Sequence, residues 1–150
     1  MTVHCQAETL SLLLSLRLFR GMVETEMQTL LQHTELVECK PGDFIIREGE
    51  QGNHLFVLIA GKVDIHKFVS GVQKAIQRLG PGECFGEMSL IECRSRSASV
   101  RAVAPCKLLR IDGDKVDGLP EVAARLYRNI AIMLSQRLRS ANELLALGPS

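Results

Sequence analysis

Between Leu36 and Leu79 the chain is cut by glycine at short, regular intervals, and this limits its folds more than any other feature. Leu36–Lys40 runs into Pro41-Gly42, Phe44–Arg47 into Gly49 and Gly52, and Leu55–Ala60 into Gly61. Val63–Phe68 runs into Ser70-Gly71, and Val72–Leu79 into Gly80-Pro81-Gly82. Each segment is β-branched or apolar and too short for a stable helix, so the spacing predicts an antiparallel sandwich or barrel. Val63 and Ile65 alternate with Asp64 and His66, as a half-buried strand requires. Two more strands, Arg96–Val103 and Lys107–Ile111, follow around Pro105, and Asp112-Gly113-Asp114 closes the β region.

Helices flank this region. Ala7 to Phe19 places Leu10, Leu13, Leu14, Leu16 and Leu18 on one broad side, and Gly21 ends it. Thr25 is the expected cap of a second short helix, Glu26 to His33. A long helix opens at Pro120-Glu121, where proline suits the first turn and an acid suits the positive dipole end, and Gly148-Pro149 stops it. The expected outline is mainly β: about eight antiparallel strands, with two short N-terminal helices and a long C-terminal helix. We read 1–150 as one domain: helices over 1–34, the β region over 35–111 and the terminal helix over 119–147.

Composition removes several functions. Lys and Arg number 18 against 17 Asp and Glu, so no domain-wide basic field calls for nucleic acid or anionic lipid. Leu10–Phe19 is too short to span a bilayer, so membrane insertion is not expected. The five cysteines are irregularly spaced, which suits reduced thiols and a cytoplasmic protein. The four histidines show no metal-ligand spacing, and no cysteine has an evident catalytic partner, so the chain does not read as an enzyme.

The chemistry is concentrated in Phe85-Gly86-Glu87-Met88-Ser89-Leu90 and the Arg96-Ser97-Ala98-Ser99-Val100 that follows. Gly86 permits close approach of a ligand. A helical turn starting there would leave the N–H groups of Glu87, Met88 and Ser89 free for an anion. Strand periodicity puts Arg96 on the side of Ala98, Val100 and Ala102, the small apolar face. A guanidinium there needs an anionic partner, because an unpaired buried charge costs several kcal/mol. That partner is either a bound anion or a structural carboxylate, Glu87 or Glu92.

These two runs resemble the phosphate-binding cassette of the cyclic nucleotide-binding domain family, spanning 85–99 here. Pro41-Gly42-Asp43, Glu48-Gly49-Glu50, Gly52 and Gly61-Lys62-Val63 resemble the family's upstream glycine pattern. Ser95 stands where many members have proline, and Asn53 where many have aspartate. The resemblance implies an antiparallel eight-stranded β-roll, jelly-roll-like, flanked by helices, and a regulatory sensor for a 3′,5′-cyclic nucleotide, with no cofactor. Glu87 would take the ribose 2′-hydroxyl and Arg96 the phosphate. Phe85, Gly86, Met88, Ser89, Ser97 and Ala98 would complete the cradle. Serine at position 97 leans the choice to cyclic AMP, with cyclic GMP as the alternative. It also implies that the last helix moves on binding and signals to an effector protein or domain that the sequence does not name. Arg137 and Arg139 can reach a base from that helix or simply solvate its basic end. Its apolar stripe is wide enough to cover the roll, to pair with a second copy as a homodimer, or both. The chain ends too soon after this helix for a DNA-reading motif, so no nucleic-acid partner is expected, and the sensor is either free-standing or part of something longer. The competing reading is an interaction or scaffold domain with a vestigial pocket.

Overall fold

The computed structural model of the chain describes residues 7–87 and 95–146. In chain order come α1 (Ala7–Ser15), a 3₁₀ turn (Arg17–Phe19), α2 (Glu24–Gln32), β1 (Thr34–Cys39), β2 (Phe44–Ile46), β3 (His54–Ala60), β4 (Val63–Val69) and β5 (Val72–Leu79). After β6 (Cys84–Phe85) follow β7 (Ser99–Ala102), β8 (Cys106–Asp112), α3 (Gly113–Asp117) and α4 (Pro120–Ala146). The strands form two four-stranded antiparallel sheets, β1-β8-β3-β6 and β2-β7-β4-β5. This bears out the mainly β antiparallel fold expected from the glycine spacing, with the flanking helices, and agrees with the roll that the family resemblance implies.

The two sheets differ in how they meet solvent, and the residues show why. β3 is apolar at nearly every position and is buried on both faces. Its Phe56 and Leu58 face the second sheet, with Val63, Leu79, Phe85, Val100, Ala102 and Leu108. Its Leu55 and Val57 face outward, where Leu13, Phe19, Met27, Leu30, Leu126 and Ile130 of the helical layer cover them. β5 is exposed along its length except at Leu79. A strand buried twice reads as a continuous apolar run, and a strand at a solvated edge does not.

Several local expectations are corrected. The first helix ends at Ser15, and Leu18 and Phe19 enter the core from the 3₁₀ turn instead. Thr25 does not cap α2, which begins one residue earlier at Glu24. There Glu26 Oε1 accepts from the Val23 backbone N–H at 3.1 Å, so a glutamate inside the first turn serves the orphan donor. β7 starts at Ser99, three residues after Arg96, so strand periodicity does not govern that arginine. Asp64 should face solvent on the alternation argument but is 9% exposed, because Arg78 clamps both carboxylate oxygens at 2.7 and 3.1 Å. That clamp holds the Asp64 carboxyl below its ordinary value. The short α3 has no apolar period to announce it; Asp112 caps it by accepting from the Asp114 N–H at 2.9 Å. Asn53 ties this corner to the roll, donating to Asp114 Oδ1 at 2.9 Å.

Only the first half of α4 packs on the roll. Val122, Ala123, Leu126, Asn129 and Ile130 are buried, whereas Leu138, Leu144 and Leu145 are more than half exposed. Asn129 donates to the carbonyls of Leu18 and Arg20 at 2.8 and 2.9 Å, satisfying the end of the 3₁₀ turn. Replacing Asn129 with alanine leaves two carbonyls without their donor and should cost about 2 kcal/mol, read by thermal or denaturant unfolding. Among the described residues no helix is long and apolar enough to cross a membrane.

Candidate functional site

The site forms where β6 ends. Phe85 stacks on Phe56 of β3, with ring centroids 5.2 Å apart and nearly parallel planes, which fixes the strand that precedes the turn. Gly86 then takes φ +86°, and Glu87 has helical backbone. A side chain at position 86 would be strained at that φ, and its Cβ would lie 2.8 Å from the His54 carbonyl and 2.9 Å from Arg96 Nη1. Glycine here lets the chain turn directly over the guanidinium.

Arg96 is buried although it precedes the strand. Its backbone is pinned to the loop after β2: the Gly49 N–H donates to the Arg96 carbonyl at 2.9 Å, and the Arg96 N–H donates to the Glu50 carbonyl at 2.8 Å. Its guanidinium points inward and is 7% exposed as a residue. It donates to the His54 carbonyl at 3.0 Å and to the Gly86 carbonyl at 3.3 Å. Gly52 leaves room on its other side. Among the described residues no carboxylate forms an ion pair with it. Burial pushes the guanidinium below its ordinary pKa, opposed by the more distant Glu50 and Glu87 carboxylates. It stays protonated regardless.

Of the structural partners raised for Arg96, Glu87 is committed elsewhere. It is 8% exposed, and its Oε1 accepts from Arg137 Nη1 of α4 at 2.5 Å. Glu92 lies outside the described residues. The alternative in which Arg137 only solvates the helix end is therefore corrected: the side chain stays half exposed but bonds a carboxylate fifty positions earlier in the chain.

Together these groups line a cleft of about 140 Å³. Ile46, Ile65, Leu79 and Val100 form an apolar floor. Gly86, Glu87, Arg96, Ser97, Ala98, Gln77 and Arg137 supply polar groups, with Cys84 and Phe85 behind them. Ser97 is exposed and Ala98 half-buried. Met88 and Ser89, the other expected members, lie outside the described residues. Sequence reasoning did not single out Gln77 or the apolar floor. The signal for Gln77 was available, because period two along β5 sets it on the face of buried Leu79. Sequence reasoning names Arg137 as able to reach the site from the last helix, but its bond to Glu87 has no local signal, since the two are fifty positions apart.

The arrangement joins a buried fixed cation, a buried carboxylate and an apolar floor in one cleft. This suits a molecule with an anionic group, hydroxyls and a flat apolar part. It does not suit thiol chemistry: burial first, and the Glu87 charge second, push the Cys84 thiol up to about 12. Among the described residues no group of three or more His, Cys, Asp or Glu could hold a metal ion.

Comparison with known proteins follows the same lines. A model of the family described as "Cyclic nucleotide-binding domain" matches residues 36–121, more than half of the chain. The cyclic AMP receptor protein of Thermus thermophilus is 32% identical over 126 residues, covering 83% of this chain and 58% of that protein. Glutaminase 2 of Bradyrhizobium diazoefficiens is 41% identical over 105 residues, 67% of this chain but 16% of the enzyme. The crystal structure of the Thermus thermophilus catabolite activator protein superposes with a TM-score of 0.78 at 32% identity, over 87% of this chain and 62% of that one. The chain thus spans about three fifths of the first relative and a small part of the second.

Proposed function

The chain belongs to the cyclic nucleotide-binding domain family, and on that premise we propose that it binds a 3′,5′-cyclic nucleotide in this cleft as a regulatory sensor, cyclic AMP in preference to cyclic GMP. The observation that carries the reading is Arg96, a buried guanidinium that has only carbonyl partners among the described residues. A cyclic phosphate supplies the missing anion, and its two exocyclic oxygens match the planar fork. The roles of Phe85, Gly86, Met88, Ser89, Ser97 and Ala98 in the cradle belong to the same proposal.

Glu87 takes the ribose 2′-hydroxyl. Its carboxylate has two oxygens and several lone pairs, so it can accept from Arg137 and from a hydroxyl together. Gln77 carries both a donor and an acceptor amide group and reaches the cleft from β5, which suits the edge of an adenine. The name of the Thermus relative, a cyclic AMP receptor protein, supports the same choice.

Occupancy is reported through α4. The Glu87–Arg137 bond ties its exposed half to the ribose site, so a ligand that changes the Glu87 hydrogen bonds changes the energy of that tie. A ligand shifts the helix only by its differential affinity for the two positions. An effector protein or domain then reads α4, and its exposed leucines leave a face for a second copy of the chain. The module itself is regulatory and performs no catalysis in this reading, in the cytoplasm.

Calorimetry with cyclic AMP and cyclic GMP tests the proposal. Micromolar or tighter binding of cyclic AMP, with cyclic GMP weaker, is the expected result. Absence of heat and of any thermal shift with both would leave the scaffold reading instead. Glu87→Gln should weaken cyclic AMP by about 1.5 kcal/mol, the worth of a hydrogen bond to a charged group. It should also narrow the preference over the 2′-deoxy analogue, which the same titrations would read.

A further inference from the structure

β1 and β8 are antiparallel neighbours, and their register sets Cys39 directly opposite Cys106. Directly opposed residues share one face of a sheet, with Cα atoms about 4.5–5.5 Å apart. A disulfide accepts Cα separations of about 4.4–6.8 Å, so the backbone already meets its main requirement. Both thiols are free and belong to the same apolar cluster between the sheets. Cys106 Sγ has only weak bonds to give up, to the Lys62 and Ala104 carbonyls at 3.2 Å each. Cys39 is half-buried. A surface cleft of about 490 Å³, lined by both cysteines with Lys40, Ala60, Pro105 and Lys107, opens on the pair. Cys84, the third described cysteine, is buried in the other apolar cluster, opposite Val57.

We propose that Cys39 and Cys106 are a reversible redox pair, in which a peroxide closes a disulfide that staples β1 to β8. The Cys39 thiolate attacks one oxygen of hydrogen peroxide; the O–O bond breaks, an S–O bond forms, and the departing hydroxide leaves as water with the thiol's proton. The Cys106 sulfur then attacks the Cys39 sulfenic sulfur; the S–O bond breaks, the S–S bond forms, and the hydroxyl leaves as a second water with the Cys106 proton. The two thiols lose two electrons, and one peroxide becomes two waters. Cys39 reacts first because it is the more accessible. Burial, then the Asp43 carboxylate and the Cys106 thiol, hold the Cys39 thiol above its ordinary pKa. The reaction is therefore slow at neutral pH and accelerates as pH rises and the thiolate forms.

The staple closes the chain from 39 to 106, which includes every wall of the ligand cleft except α4. Such a cross-link restricts the unfolded chain far more than the folded one, so the oxidised protein melts at a higher temperature.

The test treats the full chain with hydrogen peroxide at pH 8, alkylates the remaining thiols and maps the digest by non-reducing mass spectrometry. The expected product is the Cys39 peptide joined to the Cys106 peptide, lighter by two hydrogens than the separate pair and released by dithiothreitol. Its melting temperature should stand several degrees above that of the reduced chain. Cys39→Ser should abolish both effects, and a half-buried position tolerates the hydroxyl; Cys84→Ser should change neither. A disulfide from Cys39 to any other cysteine or to a second chain overturns the proposal. So does progression of Cys39 to sulfinic acid with Cys106 unmodified, or an unchanged melting temperature in the linked product.

Discussion

Arg96→Ala is expected to weaken cyclic AMP binding by about 3–5 kcal/mol, roughly two to four powers of ten in Kd, while the fold persists. The size follows from burial: Arg96 is 7% exposed, so the phosphate it meets is held where water cannot replace it. The small effect on the fold follows from its partners. The side chain bonds the His54 and Gly86 carbonyls, and losing those bonds destabilises the protein. Removing the charge also removes a desolvation penalty that no ion pair among the described residues offsets. The two effects oppose each other, so the melting temperature should move by no more than a few degrees. An arginine held in a structural ion pair would behave in the opposite way, since truncating it would strand a buried carboxylate and unfold the domain. Arg96→Lys separates charge from shape: it keeps the cation and loses the fork, so its affinity should fall between wild type and alanine. Calorimetry and thermal unfolding on the same samples decide between the accounts.

Arg96 also shows what can and cannot be read from one dimension. Its inward orientation is legible from the small apolar set Ala98, Val100 and Ala102, but strand alternation is not what sets it. The strand begins only at Ser99, and the arginine is held by two backbone hydrogen bonds to the Gly49–Glu50 turn. That turn is about forty-five positions away, and no local pattern encodes such a pairing. The strands and their approximate bounds were legible because glycine and proline act locally on φ. The double burial of β3 was legible in its unbroken apolar run, although which face meets the helices was not. Gln77 could have been found by extending the period of β5 back from Leu79. The reach of Arg137 toward the site was legible, but its pairing with Glu87 on another element could not be read locally. The Cys39–Cys106 opposition likewise depends on the β1–β8 register, a property of the assembled sheet. What the local sequence withheld were contacts between distant segments, and the cleft is built almost wholly from those.

Gly61→Ala should be the most destabilising conservative change in the roll, and Gly71→Ala supplies its control. Both glycines have positive φ, +102° and +82°, in the turns that join β3 to β4 and β4 to β5. An L side chain in that region costs about 1–2 kcal/mol whatever surrounds it. At Gly71 nothing lies within 4 Å of an added Cβ, so that cost should be the whole effect. At Gly61 the added carbon would sit 2.4 Å from the Pro105 carbonyl oxygen, 2.7 Å from Cys106 Sγ and 2.9 Å from Cys106 Cα. The sulfur can rotate away, but the two backbone atoms can retreat only if the start of β8 moves. Overpacking of this kind adds about 1–3 kcal/mol, which brings Gly61→Ala to about 4 kcal/mol. In a domain of this length each kcal/mol lowers the melting temperature by about 3 °C, so the pair should differ by several degrees. β3 presents the His54 carbonyl to Arg96, and β4 carries Ile65 into the cleft floor, so strain at their shared turn reaches the site. Gly61→Ala should therefore weaken cyclic AMP binding as well, and Gly71→Ala should leave it unchanged. Equal melting temperatures for the two variants would show that the close approach of the β3–β4 turn to β8 does not carry the stability assigned to it here.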